Sequence, residues 1–311
     1  MSRWTGAAIR VPGIAWLLTA LVFFFSTFGP RFASAPNLIN IGTQSSILLL
    51  LALPMTLIVM TEGMDLSMGA VLGLSGIVLA MLLVNGVALP MAFAAALGMG
   101  TLFGIANGIL IVALGMPPFV ATLGMLGVAQ GIALVMTNGQ SIVGIGPALP
   151  GIYASRPLGL PFSIVIAILV YAAFHLLLYR TRVGTYVFAI GGNREALVLA
   201  GVPADRYHVL IYSIGGLMAG AAAFLLTGRM SSGHPTAAIG MEFDAIVAVI
   251  IGGTKLERGD GWLPGTVLGV LTVGVLKNGL NVMAVPSSLQ IASIGLLVIV
   301  ALLIDALRGR R

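Results

Sequence analysis

Chemistry has few places to reside in this sequence. Only 8% of the 311 residues are charged, three are histidine and none is cysteine. Without cysteine there are no disulfides, thiolate metal sites or thiol nucleophiles. His175, His208 and His234 are scattered, with no H-E-x-x-H or comparable metal spacing. No nucleophile clusters with a base, which argues against a membrane-embedded protease or lipid transferase. The phosphate loop G-x-x-x-x-G-K-[ST] is missing, and Gly253–Thr254–Lys255 has the wrong order. The chain is therefore expected to hold no cofactor or metal and to catalyse no covalent step. The missing loop also argues against ATP hydrolysis by this chain.

What remains is a handful of polar side chains among apolar runs. Asp65 is one of few carboxylates near such a run, and ionisable groups at membrane depth are costly and usually functional. Asp65 or Ser67 equally suits the cap of a following helix, so a gate and a cap both stay open. Glu62 stands three residues before Asp65, a spacing that also fits a proton relay. Asn107 and Asn278 suit hydrogen bonds between helices or the lining of a polar channel. The turn Thr137–Asn138–Gly139–Gln140 is either a solvated loop or part of an external mouth, with Asn138 as its candidate. Arg229, His234, Glu242 and Asp244 collect near the same face, to pair with one another or with an arriving protein.

The elements that position these groups follow from composition. Hydrophobic residues make up 59% of the chain and mean hydropathy is +1.11. A soluble domain carries roughly a quarter charged residues, so the bilayer must be the solvent here. A spanning helix needs about 20 apolar residues, and the pattern places spans near 12–29, 44–61, 67–85, 90–114, 118–136, 160–179, 208–228, 236–253, 263–281 and 288–306. The expected fold is an all-α polytopic bundle of about ten spans, a single domain over 1–311. The first apolar run, Val11 to Gly29, is long for a cleaved signal and is read as a retained helix. The net charge of +6 sits at helix ends, as topology demands, and implies no nucleic-acid partner.

The longest polar interruption, 180–207, carries Arg180, Arg182, Arg194 and Arg206 and should face the cytoplasm. Alternating outward from it puts both termini inside. Arg3, Arg10, Lys255, Arg258, Arg308, Arg310 and Arg311 then join the same side, eleven of fifteen cations in all. Within this loop, Asn193 or Gly192 is placed to cap a short helix from Arg194 to Leu199 that ends before Gly201 and Pro203. Glycines at small-residue spacing (Gly69, Gly73, Gly76; Gly100, Gly104, Gly108; Gly265, Gly269) predict close helix packing. A faint echo links Gly104–Ile105–Ala106–Asn107–Gly108 to Gly274–Val275–Leu276–Lys277–Asn278–Gly279, each followed by proline (Pro117, Pro286). Five spans apart, such segments suit inverted five-helix repeats.

Four segments carry a family resemblance. Thr61–Glu62–Gly63–Met64–Asp65–Leu66–Ser67–Met68–Gly69 resembles the T-G-G-I-D-L-S-V-G of ribose-type sugar permeases of ATP-binding-cassette importers. Pro117–Pro118–Phe119–Val120–Ala121–Thr122–Leu123–Gly124 is similar to that family's P-P-F-I-A-T-L-G. Thr185 through Ala196, then Gly201–Val202, resembles its cytoplasmic loop. Phe243–Asp244–Ala245–Ile246 with Ile250–Ile251–Gly252–Gly253–Thr254 is similar to its L-D-A-I-A-A-V-V-I-G-G-T. The order is the same and most of the chain is covered. Permeases for autoinducer-2, inositol, other monosaccharides and nucleosides share much of the pattern. One departure stands out: after Gly-Gly-Thr the family continues S-L-x-G-G-x-G, whereas here Lys255, Glu257, Arg258 and Asp260 bring four charges.

The resemblance implies a bacterial inner-membrane permease, with solute delivered by a periplasmic binding protein. It implies cassette ATPases docked on the cytoplasmic loop, with Gly192, Asn193, Arg194, Glu195, Ala196 and Gly201 as the coupling residues. A second copy or a sister permease completes the pathway. Phe119 and Thr122 join Asp65, Ser67, Asn107, Asn138 and Asn278 as pathway or gate candidates. An ion-coupled secondary transporter is the rival; it would favour charges deep in the spans, where only Asp244, Lys277 and Asp65 qualify. Within the importer class, a nucleoside or amino acid is the alternative solute.

Overall fold

The computed structural model describes residues 13–255, 259–286, 288–290, 292–296 and 299. Arg3, Arg10, the turn residues Leu256, Glu257 and Arg258, the end of the last expected span and Arg308, Arg310 and Arg311 lie outside the described residues. The chain forms α1 (Gly13–Phe28), α2 (Ala35–Met60), α3 (Met68–Val84), α4 (Leu89–Val112), α5 (Pro118–Thr137) and α6 (Ala148–Ala154). It continues with α7 (Phe162–Arg180), α8 (Arg182–Leu199), α9 (Ala204–Met230), α10 (Met241–Ile251) and α11 (Leu263–Val282). The described parts of 288–296 are helical too. No strand forms among the described residues; one isolated bridge joins Ile142 to Gly233. The all-helical expectation therefore holds. By length and composition α2, α4, α5, α7, α9 and α11 can cross a membrane, and α1 and α3 are shorter apolar helices.

Two elements differ from the hydropathy pattern. Helix α2 begins at Ala35 rather than at 44, with Pro36 in its first turn, where its missing N–H costs nothing. Asn37, Asn40 and Gln44 lower the hydropathy there, yet Gln44 donates to Asn40 and Asn37 bonds Asn278 across to α11. The apolar run 236–253 yields only the eleven residues of α10, about 16 Å of helix against a hydrocarbon core of about 30 Å. Pro235 and Gly240, at φ 91°, break the chain ahead of it.

Helices α2 and α9 form the centre and pack on each other. The stretch Leu48–Met60 of α2 is apolar on every side but for Thr56, and is buried on every side. Around this pair the neighbours divide. Helices α10 and α11 pack on α2, while α3 and α4 pack on α9; α5 lies against α3, α1 against α11 and α7 against α2. Small residues set the distances. A methyl group on Gly100 would lie 2.2 Å from the Gly216 carbonyl oxygen, and one on Gly104 2.3 Å from that of Tyr212. On the other side, Gly269 meets the Ala248 carbonyl at 1.9 Å by the same measure. In lipid such backbone approach replaces the hydrophobic force as the source of cohesion.

Candidate functional site

Between α2 and α3 the chain is non-helical from Thr61 to Ser67, and it is held there from several directions. Helix α2 ends in a Schellman turn: Glu62 N–H donates to Val59 and Gly63 N–H to Ile58. The turn requires a left-handed residue, and Glu62 supplies it at φ 62°. Gly63 must be small, because a methyl group there would meet the Tyr212 hydroxyl at 2.5 Å. Beyond it, Asp65 turns back on the chain. Its Oδ1 accepts the Ser67 N–H at 2.8 Å and the Ser67 hydroxyl at 2.6 Å. Ser67 is the N-cap of α3 but makes no side-chain bond into that helix. Asp65 thus organises the residue that caps, rather than capping α3 itself.

Three other helices grip this segment. From α4, Asn107 Nδ2 donates to Ser67 Oγ at 2.8 Å. From α5, the Thr122 hydroxyl lies 3.2 Å from the Met64 carbonyl and 2.9 Å from that of Pro118 one turn back. From α9, His208 Nε2 lies 3.2 Å from the Thr61 carbonyl and the Tyr212 hydroxyl 3.4 Å from that of Met64. Asp65, Ser67, Asn107, Thr122 and His208 are all buried, and no ion pair among the described residues includes Asp65. A carboxyl in such a place relies on hydrogen bonds instead of a countercharge. The arrangement offers donors and acceptors at a helix interruption, the kind of groups that can hold a polar solute or a gate.

A second interruption precedes α10. Gln130 of α5 donates to the Pro235 carbonyl at 3.0 Å, and His234 bonds Ser232 at 2.8 Å and Ser141 beyond α5. Both Glu242 carboxylate oxygens accept the Gly240 N–H, at 3.0 and 3.1 Å. Asp244 is ion-paired with Lys277 of α11, and Asn278 exchanges hydrogen bonds of 2.8 and 3.0 Å with Asn37 of α2. Thr122 and Gln130 are eight residues apart on α5, so the two interruptions lie about 12 Å apart along it. Irregular backbone at membrane depth is tolerated only inside protein or along a water-filled path.

Of the residues singled out from sequence, Asp65, Ser67, Asn107 and Thr122 therefore come together. Phe119 is on the same end of α5 but its side chain points outward, 52% exposed. Asn138, in the left-handed region at φ 51°, ends α5 at its far end, about 24 Å from Thr122. Asn278 joins α11 to α2 through Asn37, one residue from the Lys277 that pairs with Asp244. Sequence reasoning missed His208, Tyr212 and Gln130. The one signal for the first two was their spacing of four, which puts both on one face of α9.

The loop 180–207 is mostly the helix α8, broken at Asn193, which is extended (φ −166°, ψ 94°). Asn193 Oδ1 accepts the Ala196 N–H at 2.9 Å and so caps the short helix Arg194–Leu199. Gly201, at φ 78°, closes that helix with a second Schellman turn. Arg194 pairs with Asp205 at 2.7 Å across the exit. In the charged turn, Lys255 pairs with Asp260 at 3.8 Å, and Gly259 packs against Gly191 of α8.

A family model described as the permease component of a branched-chain amino acid transport system matches residues 37–307. The ribose import permease protein of Escherichia coli (strain K12) is 38% identical over 301 residues, covering 93% of this chain and 91% of the relative. That of Bacillus subtilis (strain 168) is 38% identical over 290 residues, covering 93% and 90%. The D-allose transport system permease protein of Escherichia coli (strain K12) is 33% identical over 299 residues, covering 95% and 91%. Among solved structures, an ABC transporter assigned to the metal-chelate type, in an inward-facing conformation, shares the fold. It superposes with a TM-score of 0.52 at 13% identity, over 86% of this chain and 88% of that one.

Proposed function

The chain belongs to the family of branched-chain amino acid transport permease components and is the membrane permease subunit of a sugar importer of ATP-binding-cassette type; we propose that it conducts a monosaccharide past the two helix interruptions. It is a multi-pass membrane protein and a transport subunit, not an enzyme. In our reading it has about ten spans in the bacterial inner membrane, with both termini cytoplasmic. Two inverted halves suit the exchange of neighbours around the central pair, α10 and α11 on α2 against α3 and α4 on α9. A second copy or a sister permease completes the pathway, and a periplasmic binding protein delivers the solute and does most of the selecting. The chain binds no nucleotide or other cofactor; ATP acts in the cassette subunits.

The observation that carries the docking part is the short helix after Asn193. Arg194, Glu195 and Ala196 are exposed, and Leu199 is 89% exposed. A capped helix with an apolar knob and a polar flank is what a groove on a partner receives. Gly192, Asn193, Arg194, Glu195, Ala196 and Gly201 shape or present it. Asp65, Ser67, Asn107 and Thr122 form the inner gate, with Phe119 at its rim, and Asn278 and Asn138 belong to the outer half of the path.

The test is co-purification of the tagged chain with its cassette ATPase, followed by uptake of radiolabelled ribose into liposomes that also hold the binding protein. We expect the ATPase to co-purify and to be lost when Asn193, Arg194 and Glu195 are all changed to alanine. A chain that purifies alone, yet moves sugar under an ion gradient, would overturn the reading. Uptake blocked by excess leucine but not by excess ribose would replace the sugar with an amino acid.

A further inference from the structure

We propose that His208 is a positioning residue that links the short docking helix to the break before α3, an inference that rests on the docking reading above. Three side chains on one face of α9, at spacings of three and four, make the link. Asp205, in its first turn, holds Arg194 of the docking helix at 2.7 Å. His208 reaches the Thr61 carbonyl at 3.2 Å, and Tyr212 the Met64 carbonyl at 3.4 Å. The stripe thus begins on the docking helix and ends on both sides of Glu62 and Gly63.

His208 is the strongest member of the stripe at the break. Thr61 is the C-cap of α2, and a helix end leaves carbonyls without helical partners. The Schellman turn occupies those of Ile58 and Val59; His208 takes the one from Thr61. A carbonyl only accepts, so Nε2 carries the hydrogen of this bond, and Nδ1 is the ring's other nitrogen. That Nδ1 is buried with no hydrogen-bond partner, as is Asn107 Oδ1 on α4. If the break shifts, these two unpartnered atoms are placed to take new partners from it. A second hold lies one residue back. Gly191 of α8 packs so closely on α2 that a methyl group there would be 1.9 Å from the Met60 carbonyl oxygen. Gly191, just ahead of the docking helix, and His208 of α9 therefore hold Met60 and Thr61, the last helical residue of α2 and its cap. Asp65 follows four residues later.

The chain has no cysteine, so a single introduced thiol reports cleanly. The experiment uses Met64→Cys in the full complex with its cassette ATPase, in nanodiscs, and measures labelling by a water-soluble maleimide with and without ATP and vanadate. Nucleotide is expected to change the labelling rate about tenfold, a typical coupling between sites. His208→Leu should reduce that change to less than about twofold, whereas His208→Gln, which keeps an N–H donor, should retain most of it. Asp205→Ala cuts the stripe at an exposed residue, leaves the buried break intact and should lower the response about threefold. A full response in His208→Leu, or in Asp205→Ala, overturns the proposal. Equal loss in His208→Leu and His208→Gln also overturns it, because the hydrogen bond is then not the link. If the Met64→Cys protein keeps its ATPase but ignores nucleotide, the inference fails and the docking reading stands. If no ATPase co-purifies, the docking reading fails and takes the inference with it.

Discussion

At the break before α3, Asp65 is buried, forms no ion pair among the described residues and is bonded by Ser67, which Asn107 supports. At the start of α10, Asp244 is also buried but is ion-paired with Lys277 of α11. Each site lies at the start of a helix that follows an interruption, and each is met by the helix after it, through Asn107 of α4 on Ser67 in one case and Lys277 of α11 in the other. Neutral hydrogen bonds to backbone carbonyls can be exchanged one at a time, since each contributes only about 0.5–1.5 kcal/mol. An ion pair whose carboxylate is buried cannot be opened without stranding that charge. On this comparison the first interruption is expected to be the half that moves, and the second the half that holds. Helix α5 touches both, through Thr122 and Gln130, so motion at one is felt against the other.

The largest break in this comparison should come from Lys277→Met, which leaves Asp244 buried and alone. Removing one partner of a buried pair costs about 3–5 kcal/mol, and the half-exposed Lys277 side chain puts the expectation near the lower end. The thermal midpoint in detergent should fall by many degrees, and Asp244→Asn added to Lys277→Met should recover most of it. If the single change leaves the midpoint unmoved, the second interruption is not an anchor.

Asp65→Ala is next. It strips the acceptor from a buried N–H and a buried hydroxyl, which costs about 1–3 kcal/mol. Asp65→Asn keeps an oxygen in place of Oδ1 and should cost well under half as much. Uptake then sharpens the comparison. If the Asn variant is stable and transports, Asp65 serves geometry alone; if it is stable and silent, the carboxyl itself belongs to the gate. Equal stability of the two variants would mean that Ser67 does not depend on Asp65.

Much of this was legible before any coordinates. A chain with 8% charge has no way to cover a soluble surface, and the glycine spacings of α4 and α11 are where the backbones meet. Asn193 was readable as a cap because its side chain acts locally. Asp65, Ser67, Asn107 and Thr122 were legible as polar types in apolar runs, though not as a set. What escaped was tertiary. Hydropathy measures how long a run is apolar, not whether it is helical, so Pro235 and Gly240 shortened α10 unseen. Asn37 lies outside the expected span 44–61, and the partner that holds it in the helix, Asn278, is 241 positions away. Asp244 and Lys277 are 33 apart, with no periodicity to pair them. His208 read as one of three scattered histidines, since its partner is a backbone carbonyl, which no sequence pattern encodes.

The smallest predicted effect lies inside the first interruption. The Schellman turn after α2 needs one residue in the left-handed region, and the resembling sugar permeases carry glycine there (T-G-G). This chain has Glu62 at φ 62°, a conformation that costs a residue with a Cβ roughly 1–2 kcal/mol. Glycine loses part of that gain through the greater freedom of its unfolded chain. Glu62→Gly should therefore stabilise the protein slightly, by about 1 kcal/mol or less. Glu62 is exposed, so the change removes no packing. A small rise in the thermal midpoint with unchanged uptake would mean that the strain is incidental. The more telling result is a rise in stability with slower uptake: the strained turn would then help the movable half leave its present arrangement, and the same substitution made at the ion-paired half would have no counterpart. A fall in stability would show that the Glu62 side chain is itself a support of the turn, and that the first interruption is held more firmly than its neutral hydrogen bonds suggest.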